Sequence, residues 1–136
     1  MPGELLYDNA IMHAKLAQQT SEISGILWHQ GESDSKDKEN KNRYHDRFFK
    51  IISSLKKDLQ LDEHIPLIIG ELGEFIRTYR DGCCRYLDDI NTILKKFSQE
   101  IPCCRFVSAD GLLCRPDGVH FTSAAYREFG IRYFLE

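Results

Sequence analysis

IPLIIGEL, residues 65–72, carries its apolar side chains consecutively at Leu67, Ile68 and Ile69, with Pro66 introducing the run and Gly70 closing it. Consecutive side chains of a strand point to opposite faces, so both faces of this one must be covered. That is the signature of a buried strand in a parallel sheet rather than of a strand half open to water. Working outward, SGILWHQ (24–30), bounded by Gly25 and Gly31, reads as a second such strand and CCRFVSAD (103–110) as a third. The segments between them have helical periodicity. Tyr44, Phe48, Ile51, Ile52, Leu55 and Leu59 form the apolar face of a long helix over 35–60, and Leu87, Ile90, Ile93, Leu94 and Phe97 that of a helix over 85–99. Leu5, Leu6, Ile11, Met12 and Leu16 space a helix over 2–19, and TSAAYREFGIRYFL (122–135) a last one with Thr122 as N-cap. The order α-β-α-β-α-β-α predicts the α/β class: a three-layer α/β/α sandwich on a thin parallel sheet of about three strands, with crossover helices.

The chain of 136 residues is long enough for a single domain, 1–136, and too short for two independent cores. With 42% hydrophobic and 29% charged residues it has the composition of a globular protein. A formal net charge of -3 gives no reason to expect a nucleic-acid or anionic-membrane partner. There is no apolar run of membrane-spanning length, and MPGELLYDNA lacks the basic and apolar regions of a signal peptide, so a cytoplasmic location is expected. The five cysteines fall as Cys83-Cys84, Cys103-Cys104 and Cys114. Their odd number argues against a disulfide framework, and neighbours in a strand point apart and chelate poorly, so reduced, packed thiols and no metal site are expected.

In parallel α/β sheets the functional crevice lies at the carboxyl ends of the strands. Two polar clusters fall there. One is His29-Gln30-Gly31-Glu32, directly after the first strand; the other is Asp117-x-x-His120, after the third. If Asp117 accepts from one ring nitrogen of His120, the other becomes the proton acceptor a general base needs. A carboxamide such as that of Gln30, beside the unobstructed Gly31, can donate to an oxyanion. Glu32 offers a second carboxylate for the same imidazole. The structural alternative for Gln30 and Glu32 is a hydrogen-bonded turn capping the next helix. Trp28 and His29 read as packing groups, Glu71 and Glu74 as rim or turn residues, Arg115 as a polar contact, and His13, His45 and His64 as solvated or capping side chains.

Taken together, WHQGESD, PLIIGELGEF and DGVHFTSAAYREFG resemble the SGNH/GDSL hydrolase superfamily. Its nearest branch is that of sialate O-acetylesterase-like and acetylxylan esterase-like proteins (carbohydrate esterase family 6-like). The resemblance implies a flavodoxin-like sandwich and hydrolysis of acetyl groups on sugars through an acyl-enzyme, with no cofactor or metal. It implies His120 as general base and then acid, oriented by Asp117, with Glu32 as a competing or additional carboxylate and Gln30, next to Gly31, as oxyanion donor. The family's serine sits in a Gly-x-Ser motif after its first strand. Here the only Gly-x-Ser is Gly31-Glu32-Ser33, already part of the HQGE match, and Ser33 reads as a capping or surface residue. The chain is therefore expected to correspond to the C-terminal portion of such a domain, lacking the nucleophile segment. In the family's strand order this leaves residues 24–29 as an open sheet edge, which predicts a homo-oligomer or a partner covering it. A non-catalytic interaction module of the same fold, and a lipase or thioesterase of the superfamily, are the alternative readings.

Overall fold

Leu67 and Ile69 of the central strand are fully buried beneath one layer of helices, while Ile68 packs under another, as the consecutive apolar pattern requires. The structure, a computed structural model, describes residues 2–136, with side chains from Leu6 onward; Leu5, counted above in the first helix's apolar set, lies outside the described side chains. Its elements are α1 (Pro2–Ala17), β1 (Ile26–Trp28), α2 (Lys38–Asp58), β2 (Leu67–Gly70), α3 (Leu87–Glu100), β3 (Cys104–Val107) and α4 (Ser123–Leu135). The strands lie in the order β1-β2-β3, all parallel, with Trp28, Ile69 and Phe106 in register. Ile26, Trp28, Leu67, Ile69, Cys104 and Phe106 share the face that packs on α2 and α3. Val107 and Ile68 join Ala125, Phe129 and Tyr133 of α4 in a second, smaller core. Among the described residues no helix is long and apolar enough to cross a membrane.

The larger core centres on aromatic packing. Phe97 is fully buried, stacks on Phe48 with ring centroids 4.0 Å apart, and meets Phe49 edge-on at 5.4 Å. Removing such a ring forfeits both transfer energy and the contacts of its neighbours, so Phe97→Ala is expected to lower stability by about 3–5 kcal/mol. A urea titration checks this: the midpoint should fall while the slope stays constant.

Two helix starts depart from the periodicity. The 35–60 segment opens as a separate 3-10 turn, Asp34–Lys36, and α2 begins only at Lys38, where the Asp37 carboxylate caps the Asn40 N–H at 2.8 Å. Ser35 is wholly buried, its hydroxyl donates to Glu32 O at 2.8 Å, and Tyr86 N–H donates to its carbonyl at 2.8 Å. Those bonds hold Ser35 to the core and delay both α2 and α3, so α3 starts at Leu87 rather than 85. The last helix begins as expected, with Thr122 Oγ1 accepting from Ala125 N–H at 3.1 Å. Its seat explains Gly70: a Cβ there would stand 2.0 Å from the Tyr133 hydroxyl and 2.9 Å from Phe129.

Among the described residues β1 has a neighbour on one side only, and Leu27, on the sheet face opposite α2 and α3, is 68% exposed. α1 is tied to the end of α2 by Tyr7 Oη donating to Asp58 at 2.9 Å and Gln18 Nε2 donating to Leu59 O at 3.0 Å. The periodicity of α1 predicted a helix correctly, yet its Leu6, Met12 and Leu16 face solvent.

Candidate active site

The loop after β3 folds back on itself through an antiparallel bridge between Cys114 and Phe121. Arg115 N–H donates to His120 O at 2.8 Å and Thr122 N–H to Leu113 O at 2.9 Å. Within this hairpin Asp117 Oδ1 accepts from the Val119 and His120 backbone N–H groups, both at 3.0 Å, and Oδ2 faces His120 Nδ1 at 3.0 Å. These bonds hold the Asp117 carboxyl well below the usual carboxylate range, the His120 and Val119 N–H groups contributing most and the imidazole adding to them. An ionised carboxylate only accepts, so Nδ1 carries the ring proton and Nε2 is left as an acceptor open to water or substrate. The His120 side chain is 62% exposed.

The end of β1 reaches the same edge. His29 Nε2 lies 3.2 Å from Glu71 O, and its ring packs on Phe121 and Phe129 with centroids 5.7 and 5.5 Å away. His29 precedes Gln30, and Phe121 follows His120, so this one packing contact brings the HQGE and DxxH segments against each other. His29 and Trp28 are packing residues, as their sequence context indicated. Trp28 Nε1 donates to Tyr44 Oη at 3.2 Å, and Tyr44 Oη donates on to Gln30 O at 2.6 Å. Burial raises the Tyr44 phenol far above its ordinary value, so it remains a hydroxyl donor.

Each HQGE side chain has a local partner. Gln30 Nε2 donates to Asp34 Oδ2 at 2.8 Å, leaving its second N–H hydrogen for another acceptor. Glu32 Oε2 accepts from Gly31 N–H at 3.1 Å, and it is Asp117 that holds the His120 imidazole. Gly31 itself is buried with φ +148°, and its carbonyl accepts from Ser35 N–H at 2.9 Å. Ser33 is exposed at the start of the 3-10 turn and makes no capping bond with its side chain. Glu71 is a clamp: its Oε2 accepts from the Ser108 hydroxyl at 2.7 Å and Ala109 N–H at 2.8 Å, joining the ends of β2 and β3. Beside it lies a cleft of about 400 Å³ walled by Glu71, Phe75, Ser108, Asp110 and Leu112. Glu74 also lines this cleft and pairs with Arg77, which in turn binds Asp88.

Sequence reasoning missed three supports. Asn91 clasps both backbone groups of Leu72, accepting at 2.9 Å and donating at 3.0 Å; an Asn beside the buried Ile90 of an amphipathic helix was the available signal. Arg132 Nη1 donates to Ser108 O and Asp110 O, both at 2.9 Å, and Tyr133 Oη to Trp28 O at 3.1 Å. All five cysteines are free, and among the described residues no group of three or more His, Cys, Asp or Glu is placed to hold a metal ion.

A parallel α/β sheet thus carries an oriented imidazole–carboxylate pair and a carboxamide in the loops at its carboxyl edge, where α/β domains of this kind place their functional crevice. The chain belongs to the carbohydrate esterase, sialic acid-specific acetylesterase family, whose model matches residues 1–136. It is 28% identical over 133 residues to a probable carbohydrate esterase of Arabidopsis thaliana, covering 95% of this chain and 46% of that protein. The X-ray structure of an Arabidopsis thaliana protein superposes with a TM-score of 0.78 at 25% identity, covering 94% of this chain and 49% of that one. The chain thus spans about half the length of the relatives it matches.

Proposed function

We propose that this chain supplies the acid–base half of a carbohydrate O-acetylesterase site, with acetylated sugars as substrate. The observation that carries the reading is the Asp117–His120 pair, aligned at 3.0 Å with Oδ1 of the same carboxylate locked by two backbone N–H groups. His120 Nε2 takes the proton of the attacking hydroxyl and returns it to the leaving sugar oxygen. Gln30, fixed through Asp34 and Tyr44, has one carboxamide hydrogen left for the developing oxyanion. Acetate release from a chromogenic acetate ester, alongside labelling by a fluorophosphonate, tests the assignment once the chain is joined to a segment carrying the family's Gly-x-Ser serine. Turnover that disappears in His120→Ala supports it. Absence of both labelling and turnover, or a rate indifferent to His120→Ala, rejects the esterase reading for this chain in favour of a non-catalytic module.

The open edge of β1 extends this reading to assembly. Unpaired edge backbone beside the exposed Leu27 favours pairing with a second copy of the chain. Sedimentation velocity of the isolated chain should show concentration-dependent association that Leu27→Lys abolishes. A monomer at all concentrations would refute this.

A further inference from the structure

Two pairs of adjacent cysteines occur in this chain, and the fold treats them oppositely. Cys104 opens β3 and Cys103 precedes it with φ 57°, so their thiols diverge. Cys103 Sγ is exposed, 4.0 Å from His64 Nδ1, while Cys104 is buried with its Sγ near Arg105 O. Cys83 and Cys84 lie instead in the loop before α3, following three residues of positive φ: Arg80 (45°), Asp81 (56°) and Gly82 (75°). That turn frees the pair from the alternation of a strand, and the two Sγ atoms converge to 3.8 Å. The expectation that vicinal cysteines point apart assumed a strand and fails for 83–84, which lie in a loop.

We propose that Cys83 and Cys84 form a bidentate dithiol site for a trivalent arsenical, a soft centre that completes its valence with two sulfurs and one organic substituent. Two thiols without further ligands do not suit zinc, which requires a tetrahedral set of four, but they satisfy an organoarsenic centre fully. The condensation is redox-neutral. Two As–S bonds form, the As–O bonds of the arsenoxide break, and its oxygen leaves as water with the two thiol protons. Cys83 is half-buried and gives access, while Cys84 is 3% exposed among core residues and fixes the second sulfur. The Cys84 thiol donates to Glu32 O at 3.7 Å; after its proton leaves, that carbonyl keeps the Ser35 hydroxyl bond at 2.8 Å. Loading the site therefore leaves no buried acceptor unpaired.

The test is a titration of the reduced chain with phenylarsine oxide in the presence of excess monothiol, read by intact mass and reversed by a dithiol. One phenylarsenic group should be taken up per chain, with loss of one water, by the wild type and equally by the Cys103→Ser/Cys104→Ser double variant. Cys83→Ser, at the more accessible position, should weaken uptake on the order of 100-fold, the loss expected when a two-point attachment becomes single. Cys84→Ser should do the same, and if it fails to fold Cys83→Ser decides alone. Uptake unchanged in Cys83→Ser, uptake lost in the 103/104 double variant, or no monothiol-resistant uptake by the wild type would each overturn the proposal.

Discussion

Asp117→Asn is expected to lower His120-dependent ester turnover nearly as far as His120→Ala does, by about 10²–10⁴-fold. Proton placement on the ring decides this outcome. An asparagine can still accept the Val119 and His120 N–H bonds through Oδ1, so the hairpin keeps its shape. Its amide nitrogen then faces His120 Nδ1 as a donor where a carboxylate accepted. The ring must answer by accepting at Nδ1, which moves its proton to Nε2, the atom that has to act as base. The pair of variants therefore separates positioning from presence: circular dichroism should be unchanged in both, and turnover low in both. If Asp117→Asn retained full turnover, Glu32 or another group would have to orient the imidazole.

The same carboxylate sets an acid limit. Its pKa is depressed on folding, so its contribution to stability is present above the ordinary carboxylate pKa of about 3.9 and lost only as pH falls through the lower folded value. The hairpin should thus be intact from neutrality down to about pH 4 and loosen only in stronger acid. In Asp117→Asn that acid step should be missing, which an NMR titration of the 114–121 loop would show.

What the sequence made legible was local. Leu67-Ile68-Ile69 announces a strand buried on both faces because neighbours alternate, and DxxH announces its pairing because three residues in a tight turn can reach each other. The Thr122 cap is equally short-range. Assignments depending on distant partners were not readable. The Ser35 hydroxyl and carbonyl are claimed by Glu32 and Tyr86, the second of them 51 positions on, and that shifts two helix starts. Asn91 meets Leu72 across 19 positions, and Arg132 meets Ser108 across 24, with no periodicity to betray either. The HQGE segment lies between these cases. Its place at the end of β1 was readable, but the bonds of Gln30 to Asp34 and of Glu32 to Gly31 N–H are choices among several near neighbours that only packing settles. For α1, periodicity specified a helix without saying what would cover it.

Gly31→Ala is expected to be strongly destabilising, because backbone strain and a steric clash act there together. The residue holds φ +148°, a region L side chains rarely adopt, and strain of this kind costs about 1–3 kcal/mol. A Cβ would also stand 2.7 Å from Ile90 Cγ2 and 3.1 Å from Leu72 Cδ1, both on fully buried side chains with no room to retreat. Overpacking of that order adds about 1–3 kcal/mol, so a loss of roughly 2–6 kcal/mol is expected. Two other glycines isolate the components. At Gly111, φ +73° with nothing within 4 Å, an alanine meets strain alone and should lose about 1 kcal/mol, at the low end of the strain range. At Gly130, inside α4 and equally unobstructed, an alanine should stabilise by about 0.5–1 kcal/mol through helix propensity. Urea midpoints ordered Gly130→Ala, wild type, Gly111→Ala, Gly31→Ala from most to least stable would support the account. A Gly31→Ala variant as stable as Gly111→Ala would mean that Ile90 and Leu72 can yield. The turn would then be softer than its burial implies, and Gln30, the residue directly before it, would not be held firmly enough to serve an oxyanion.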